Sequence, residues 1–317
     1  MSTFVVTPKY QPFELPIEAK GRQYIGYLDL SSLEQSPCGQ FASFCLIDAN
    51  NQILRFTINQ KIWRQIQQQI KAIHFDSKQQ LYIWIEMNSD GIVVNSRVFQ
   101  AGWQIEQLIT VFQSCYHFEA LYQLLKVVQG LATPAIAKFG HELLTDIKLM
   151  SRWVSLPASK RHHHSYPGGL LAHSLECAFI TEQNVAMLTE LSIREKEVTV
   201  LAALLHDIGK TQTLSMDGHT STGRLIDHEL LTLQVLAQPL EILSKGWSDG
   251  AQVLQYLLTW KSSMGFCKFI GGNIIKLADQ ISTSASLRRM AFKDKPNYFH
   301  FAELQVGSRP QYLNRLH

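Results

Sequence analysis

The chain has 317 residues, 46% of them hydrophobic and 17% charged, with a formal net charge of +3. That length is too great for one ordinary domain and sufficient for two, and the composition supports a sizeable core. The weak positive charge permits an acidic partner such as nucleic acid without arguing for one, because binding needs a local patch rather than a total.

Five cysteines (Cys38, Cys45, Cys115, Cys177 and Cys267) are odd in number and show no CxxC spacing. This argues against a disulfide framework or zinc knuckle and points to a reducing, cytoplasmic setting. No run of about 18 apolar residues is present, so no membrane span is expected, and the N-terminus shows no signal-peptide pattern.

Residues 1–20 read as an extended arm with three prolines. Strand signals follow at Gln23–Leu30 and Phe41–Ile47, then a turn at Asp48–Asn51, then Gln52–Thr57, so the last two strands form a hairpin. Ile62, Ile66, Ile70 and Ile73 recur at helical spacing within 58–73. Two further strands, Leu81–Glu86 and Gly91–Phe99, flank a turn at Asn88–Gly91. Three strands, a helix and two strands is the order of an OB-fold barrel, which places an OB-like nucleic-acid-binding domain at 1–102. Such folds hold single strands by stacking bases on exposed aromatics in a basic groove. Tyr24, Tyr27, Phe56, Tyr82 and Trp84 are the candidates, with Arg22 and Arg55 nearby. The competing reading at strand spacing is that these rings are core.

From Trp103 the pattern becomes helical, giving an α+β two-domain chain with an all-α domain at 103–317, whose tail after Met290, with Tyr298, Phe299, Phe301 and Tyr312, reads as docking on the helices or meeting a partner. Helices are predicted over Ile105–Val128, Pro134–Met150, Leu170–Leu188, Leu225–Leu243, Asp249–Trp260 and Gly272–Met290. Ser192 with Glu195 three positions on has capping-box spacing for a helix that runs to His206-Asp207. Gly168-Gly169 closes a polar loop that begins at the triple histidine His162–His164.

Four residues stand apart. His173 lies on the helix after the double glycine, His206 and Asp207 are adjacent at the end of an apolar run, and Asp279 sits in the otherwise apolar segment IIKLADQIS. A carboxylate on an apolar helix face is costly unless it is paired or bound to a cation. Two imidazoles and two carboxylates make a mixed N/O set that suits Mn, Fe, Zn or Mg. Singly, His173 also reads as a core histidine and Asp279 as a turn cap or ion-pair partner.

The strings GGLLAH, LLHDIGK and LADQIS, in the order H…HD…D, resemble the HD superfamily of metal-dependent phosphohydrolases over roughly residues 130–290. The resemblance implies an all-helical fold in which His173, His206, Asp207 and Asp279 hold the metal. Within the superfamily, PASKRHHHSYPGGLLAHSLE and ADQIS look most like the TraI-type domain of MobH relaxases. The domain order and the HHxYxGGLLxH pattern look more like YhaM-type 3′→5′ exoribonucleases. Both comparisons imply a phosphodiester in single-stranded RNA or DNA.

His228 reads as a ligand for a second metal or as a substrate contact. The later histidine of two-metal relatives is replaced by Thr259-Trp260-Lys261, so one metal is expected. His162, His163 and His164 read as phosphate contacts, as extra ligands or as an exposed polar loop. Lys210 reads as a catalytic phosphate contact or as a solvated helix end that complements the dipole. Asp207 is expected to orient or deprotonate water. The expected activity is that of a single-strand nuclease, with 3′→5′ exonuclease action foremost. A relaxase-like DNA-processing protein, an HD hydrolase of small nucleotides and a catalytically silent HD binding module are the alternatives.

Overall fold

The computed structural model describes residues 22–73, 80–100, 102–260, 265–306 and 309–316. The arm expected over 1–20 and Lys261 lie outside the described residues. The described residues divide into two compact units, one within 22–114 and one within 115–316. Among the described residues, no helix is long and apolar enough to cross a membrane.

The first unit is built on alternating apolar strands. β1 (Arg22–Gln35), β2 (Phe41–Ile47) and β3 (Ile53–Asn59) precede α1 (Gln60–Ala72), and β4 (Leu81–Met87) and β5 (Val93–Gln100) follow it. They form a five-stranded antiparallel sheet in the order β3-β2-β1-β4-β5. Leu46, Phe56, Ile83 and Val98 pack with Ile62, Trp63 and Ile66 of α1 into one core. Asn59 caps α1 through its side chain, which accepts from the Ile62 amide at 3.0 Å.

A closed barrel was the expectation, and the sheet is open. Closure would require β3 to pair with β5, and no such ladder exists among the described residues. Part of the β5 edge is instead taken by α1. Gln65 Nε2 donates to the Ser96 carbonyl at 3.0 Å, and Gln69 Oε1 accepts from the Val98 amide at 2.7 Å. Side chains thereby satisfy backbone groups that a closing strand would have used. The aromatic candidates divide as well. Phe56, Tyr82 and Trp84 are buried, and Tyr24 and Tyr27 are half-buried. Tyr27, Tyr82 and Phe99 stack in series at 5.0 and 5.6 Å. Most of the proposed stacking surface is therefore core. Arg22 and Arg55 are exposed, and Arg55 lies 3.5 Å from Glu34. The unit ends with α2 (Ile105–Ser114).

The second unit is mainly helical: α3 (Phe118–Gln129), α4 (Pro134–Thr145), α5 (Ile147–Ser155), α6 (Gly169–Met187), α7 (Ile193–Leu205) and the short α8 (Lys210–Thr213). A small hairpin, β6 (Leu214–Ser215) and β7 (Gly218–His219), leads to α9 (His228–Val235), α10 (Ala237–Gly246), α11 (Ser248–Thr259) and α12 (Ile270–Phe292). Three expected long helices are broken. The run 105–128 is divided by Cys115-Tyr116-His117, and 225–243 is divided at Leu236. Between α4 and α5, Asp146 turns the chain and accepts from the Leu149 amide at 2.9 Å, starting a new helix. Ser192 caps α7 as its spacing predicts, accepting from the Glu195 amide at 3.2 Å. The C-terminal stretch forms a ribbon, β8 (Phe301–Val306) against β9 (Arg309–Asn314), so this unit is not all-α as expected.

Candidate metal centre

α6 begins at a strained turn. Gly168 has φ +78°, and a Cβ on Gly169 would stand 2.1 Å from the His164 carbonyl oxygen. Only glycines let the 162–168 loop lie this close to the helix start. One turn later His173 is fully buried. α7 supplies an apolar helix ending at Leu205, and a tight turn then presents His206 and Asp207. Arg152 of α5 holds the next turn in place by donating to the carbonyls of Thr211 and Leu214. α12 brings Asp279.

These four side chains converge. His173 Nε2 is 3.3 Å from Asp207 Oδ2 and 3.3 Å from Asp279 Oδ1. His206 Nε2 is 3.5 Å from Asp207 Oδ2 and 4.0 Å from Asp279 Oδ1. Atoms bound at about 2.1 Å to one ion stand roughly 3.0 to 3.5 Å apart when adjacent and about 4.2 Å when opposite. The four separations fall in that range.

The protons are arranged to suit. His206 Nδ1 lies 2.7 Å from the Ala203 carbonyl, which can only accept, so Nδ1 carries a hydrogen. Its Nε2 is buried without a hydrogen-bond partner and faces the two carboxylates. His173 Nδ1 lies 3.0 Å from Ser282 Oγ, and that hydroxyl gives its single proton to Glu176 Oε2 at 2.7 Å. Ser282 must therefore accept from His173 Nδ1, which turns Nε2 toward the carboxylates. An orphaned imidazole nitrogen and a second one aimed at the same two oxygens fit a divalent cation and its outer hydrogen bonds.

Glu176 anchors the outer layer. It accepts from Arg289 Nη2 at 2.8 Å and lies 3.2 Å from His164 Nε2. Burial works against its charge, but His164, Arg289 and Ser282 hold its carboxyl below the usual range. Burial likewise opposes ionisation of Asp207, yet Lys210, His206, His173 and His228 hold it well below that range. Asp279 is also depressed, burial being outweighed first by His173 and then by His206. Burial disfavours protonated His173, but the carboxylates of Asp207 and Asp279 beside its Nε2 carry it above the ordinary imidazole range.

Lys210 Nζ donates to Asp207 Oδ2 at 2.6 Å, so it neutralises the carboxylate rather than extending into solvent. His228 Nε2 is 3.0 Å from the other oxygen, Oδ1, and its side chain is 28% exposed. Gly209 allows that approach, since a Cβ there would stand 2.0 Å from the His228 carbonyl oxygen. The triple histidine separates. His163 packs against His173 with ring centroids 4.8 Å apart, and burial pushes it down to about 3. His164 is fully buried on Glu176 and Arg289. His162 is exposed and is not brought to the centre; its backbone amide donates to Ser159 Oγ.

Sequence reasoning missed Glu176, Cys177, Ser282 and Arg289. His173, Glu176 and Cys177 have helical spacing, as do Asp279, Ser282, Ser286 and Arg289, so a face-by-face reading of α6 and α12 contained the signal. Ligand atoms of His173, Cys177, His206 and Asp279 lie within 4.8 Å of one another, as do those of His163, His173 and Asp207. Cys177 Sγ is 3.8 and 3.9 Å from the two His173 nitrogens, which sets it over the ring face, and burial raises its thiol pKa. Cys177 is thus a neutral packing partner.

No curated protein and no solved structure matches the chain. Residues 120–220 match the model of the TraI_2 family, described as "Putative helicase". The matched stretch holds His173, His206, Asp207 and Lys210 and ends before His228 and Asp279. This stretch of the chain is similar to a TraI-type domain.

Proposed function

We propose that the unit within 115–316 is an HD-type metal-dependent phosphohydrolase that cleaves phosphodiester bonds in single-stranded nucleic acid. The observation that carries this reading is the convergence of His173, His206, Asp207 and Asp279, with both Nε2 atoms turned toward carboxylate oxygens. The N/O donor set suits Mn, Fe, Zn or Mg. A divalent ion held there supplies Lewis-acid charge for a phosphoryl oxygen and acidifies water.

The chain's own residues do the rest. Asp207 stays ionised, so it serves as a ligand and as a hydrogen-bond acceptor that orients water, not as an acid. Lys210 balances its charge and stands ready to offset charge developing on a phosphoryl oxygen. The side chains of Asp279 and His228 are 45% and 28% exposed, which marks the open side from which substrate approaches. His228, between Asp207 and that opening, is placed to move a proton to the leaving oxygen. His163 stays neutral near pH 7 and offers an imidazole hydrogen bond in place of a charge.

Similarity to a TraI-type domain favours DNA processing. An ATP-driven motor finds less support. Gly209-Lys210-Thr211 has the last three residues of a phosphate-binding loop, but Leu204 stands where its first glycine belongs. The preceding element is a helix instead of a strand, and the lysine is bound to Asp207. The N-terminal unit is an open antiparallel sheet whose Phe56, Tyr82 and Trp84 are buried, so the reading rests on the helical unit.

The test is hydrolysis of end-labelled single-stranded DNA and RNA by the full chain with Mn²⁺ or Mg²⁺, beside a panel of mononucleotides. His206→Ala/Asp207→Ala is expected to abolish cleavage. Undiminished cleavage by that variant overturns the reading, and turnover of mononucleotides alone moves it to a small-nucleotide hydrolase. Successive mononucleotides released from the 3′ end mark an exonuclease; a single internal cut marks a nicking enzyme.

A further inference from the structure

A buried imidazole nitrogen without a partner is costly, because it forgoes the hydrogen bond that water would supply. His163 Nε2 is such an atom: it is buried and has no hydrogen-bond partner among the described residues. His206 Nε2 is another, and it faces the carboxylates of the centre. His117 Nε2 and His164 Nδ1 are orphaned too, but among the described residues neither histidine belongs to a group that could hold an ion. His163 does belong to one. A ring nitrogen of His163, one of His173 and an oxygen of Asp207 lie within 4.8 Å of one another. Ligands opposite each other on one ion stand about 4.2 Å apart. Roughly half an ångström of ring tilt therefore brings even the widest pair allowed by that 4.8 Å limit into range.

The backbone is bent to put the ring there. Consecutive side chains of an extended segment point to opposite sides. His163 and His164 instead both turn inward, with ring centroids 4.8 and 5.2 Å from that of His173. His164 makes this possible at φ +46°, a left-handed conformation that a residue with a Cβ seldom adopts. Three hydrogen bonds hold the bend. The His164 amide donates to Ser286 Oγ at 3.0 Å, the His164 carbonyl accepts from the Ala158 amide at 3.0 Å, and the His163 carbonyl accepts from Ser159 Oγ at 2.7 Å. Strain of this kind persists where the surrounding fold over-determines it, and here it fixes an imidazole beside two residues of the centre.

We infer that His163, through its orphaned Nε2, is a fifth protein ligand to the ion, beside His173, His206, Asp207 and Asp279. The inference rests on the proposed metal centre and narrows the metal class that four ligands leave open. A third imidazole makes the shell nitrogen-rich, which suits Zn or Fe and disfavours Mg. Binding through Nε2 leaves the ring hydrogen on Nδ1, so His163 keeps a donor while it coordinates.

The experiment is chelator competition with Zn²⁺ and Mn²⁺ on the full chain, with the visible absorption of the Co²⁺-loaded protein as a second readout. His163→Phe keeps a flat ring packed on His173 and removes only the nitrogens. It should weaken Zn²⁺ binding more than about 100-fold, beyond the usual cost of a lost outer hydrogen bond. Mn²⁺ binding should fall less, and the Co²⁺ spectrum should change. In His163→Ala, added imidazole should fill the space of the lost ring and return the spectrum toward wild type. Wild-type Zn²⁺ affinity with an unchanged Co²⁺ spectrum in these variants, their fold verified by circular dichroism, overturns the inference and makes the ring a packing partner. A smaller Zn²⁺ loss, within about 100-fold, with an unchanged spectrum also overturns it and places His163 outside the ligands. In both cases loss of the ion in His206→Ala leaves the proposed centre standing. Metal binding that persists in His206→Ala, or that wild type lacks, overturns the centre and the inference together.

Discussion

Replacing Ser282 with alanine removes one oxygen from the interior and leaves a buried ring nitrogen without its acceptor. Ser282 is 1% exposed and its hydroxyl is the acceptor for His173 Nδ1 and a donor to Glu176. In Ser282→Ala the His173 Nδ1–H is buried with no acceptor, at a cost of about 1–3 kcal/mol. The imidazole then rotates or changes tautomer to recover a partner, and Nε2 leaves the direction of Asp207 and Asp279. Loss of such an outer hydrogen bond lowers metal affinity about 10- to 100-fold. Competition with a fluorescent chelator, at pH 7.5 with Mn²⁺ or Zn²⁺, measures this directly. Thr199→Ala is the control: Thr199 is buried, and its hydroxyl donates to the Glu195 carbonyl in α7, away from the ligands. Wild-type metal affinity in a folded Ser282→Ala protein would refute the proton arrangement at the centre.

Glu176→Gln tests the buried charge. The Glu176 carboxyl is depressed in the fold, so its contribution to stability is present above the unfolded value of about 4.3 and fades as pH falls through the folded value. Urea unfolding of metal-free protein should therefore show Glu176→Gln destabilised near neutral pH, with the gap to wild type closing below about pH 4; a gap independent of pH contradicts the ion-pair account. Gly209→Ala forces a Cβ against the His228 carbonyl oxygen and should push the start of α9 away from Asp207. Phosphodiester turnover should drop at least tenfold while first-site metal affinity changes less; equal losses in both would show that His228 also sets the metal site.

Much of the architecture is legible in the sequence because its signals are local. β2 has its predicted bounds, and Ser192 and Glu195 mark the start of α7 in two residues. The broken helices are less legible because Asp146 is an ordinary polar residue until its side chain is seen to cap Leu149. The open sheet depends on two α1 glutamines reaching Ser96 and Val98, a tertiary event with no sequence signature. In the same way His173, His206, Asp207 and Asp279 stand out as unusual residues in apolar runs, whereas Ser282 and Arg289 gain meaning only when α12 lies beside α6 and both meet Glu176. The ribbon is readable in part: FAELQV alternates apolar and polar residues, but the helical texture of the preceding two hundred residues conceals it.

The central claim is that His173, His206, Asp207 and Asp279 hold a catalytic divalent cation. Elemental analysis of the full chain, after exchange into metal and removal of loosely bound ions, tests it most directly. The account predicts about one divalent ion per wild-type chain, lost in folded His206→Ala and Asp279→Ala and retained in His162→Ala, whose side chain is exposed to solvent. A folded wild-type chain that retains no metal, or folded variants that retain as much as wild type, would contradict it.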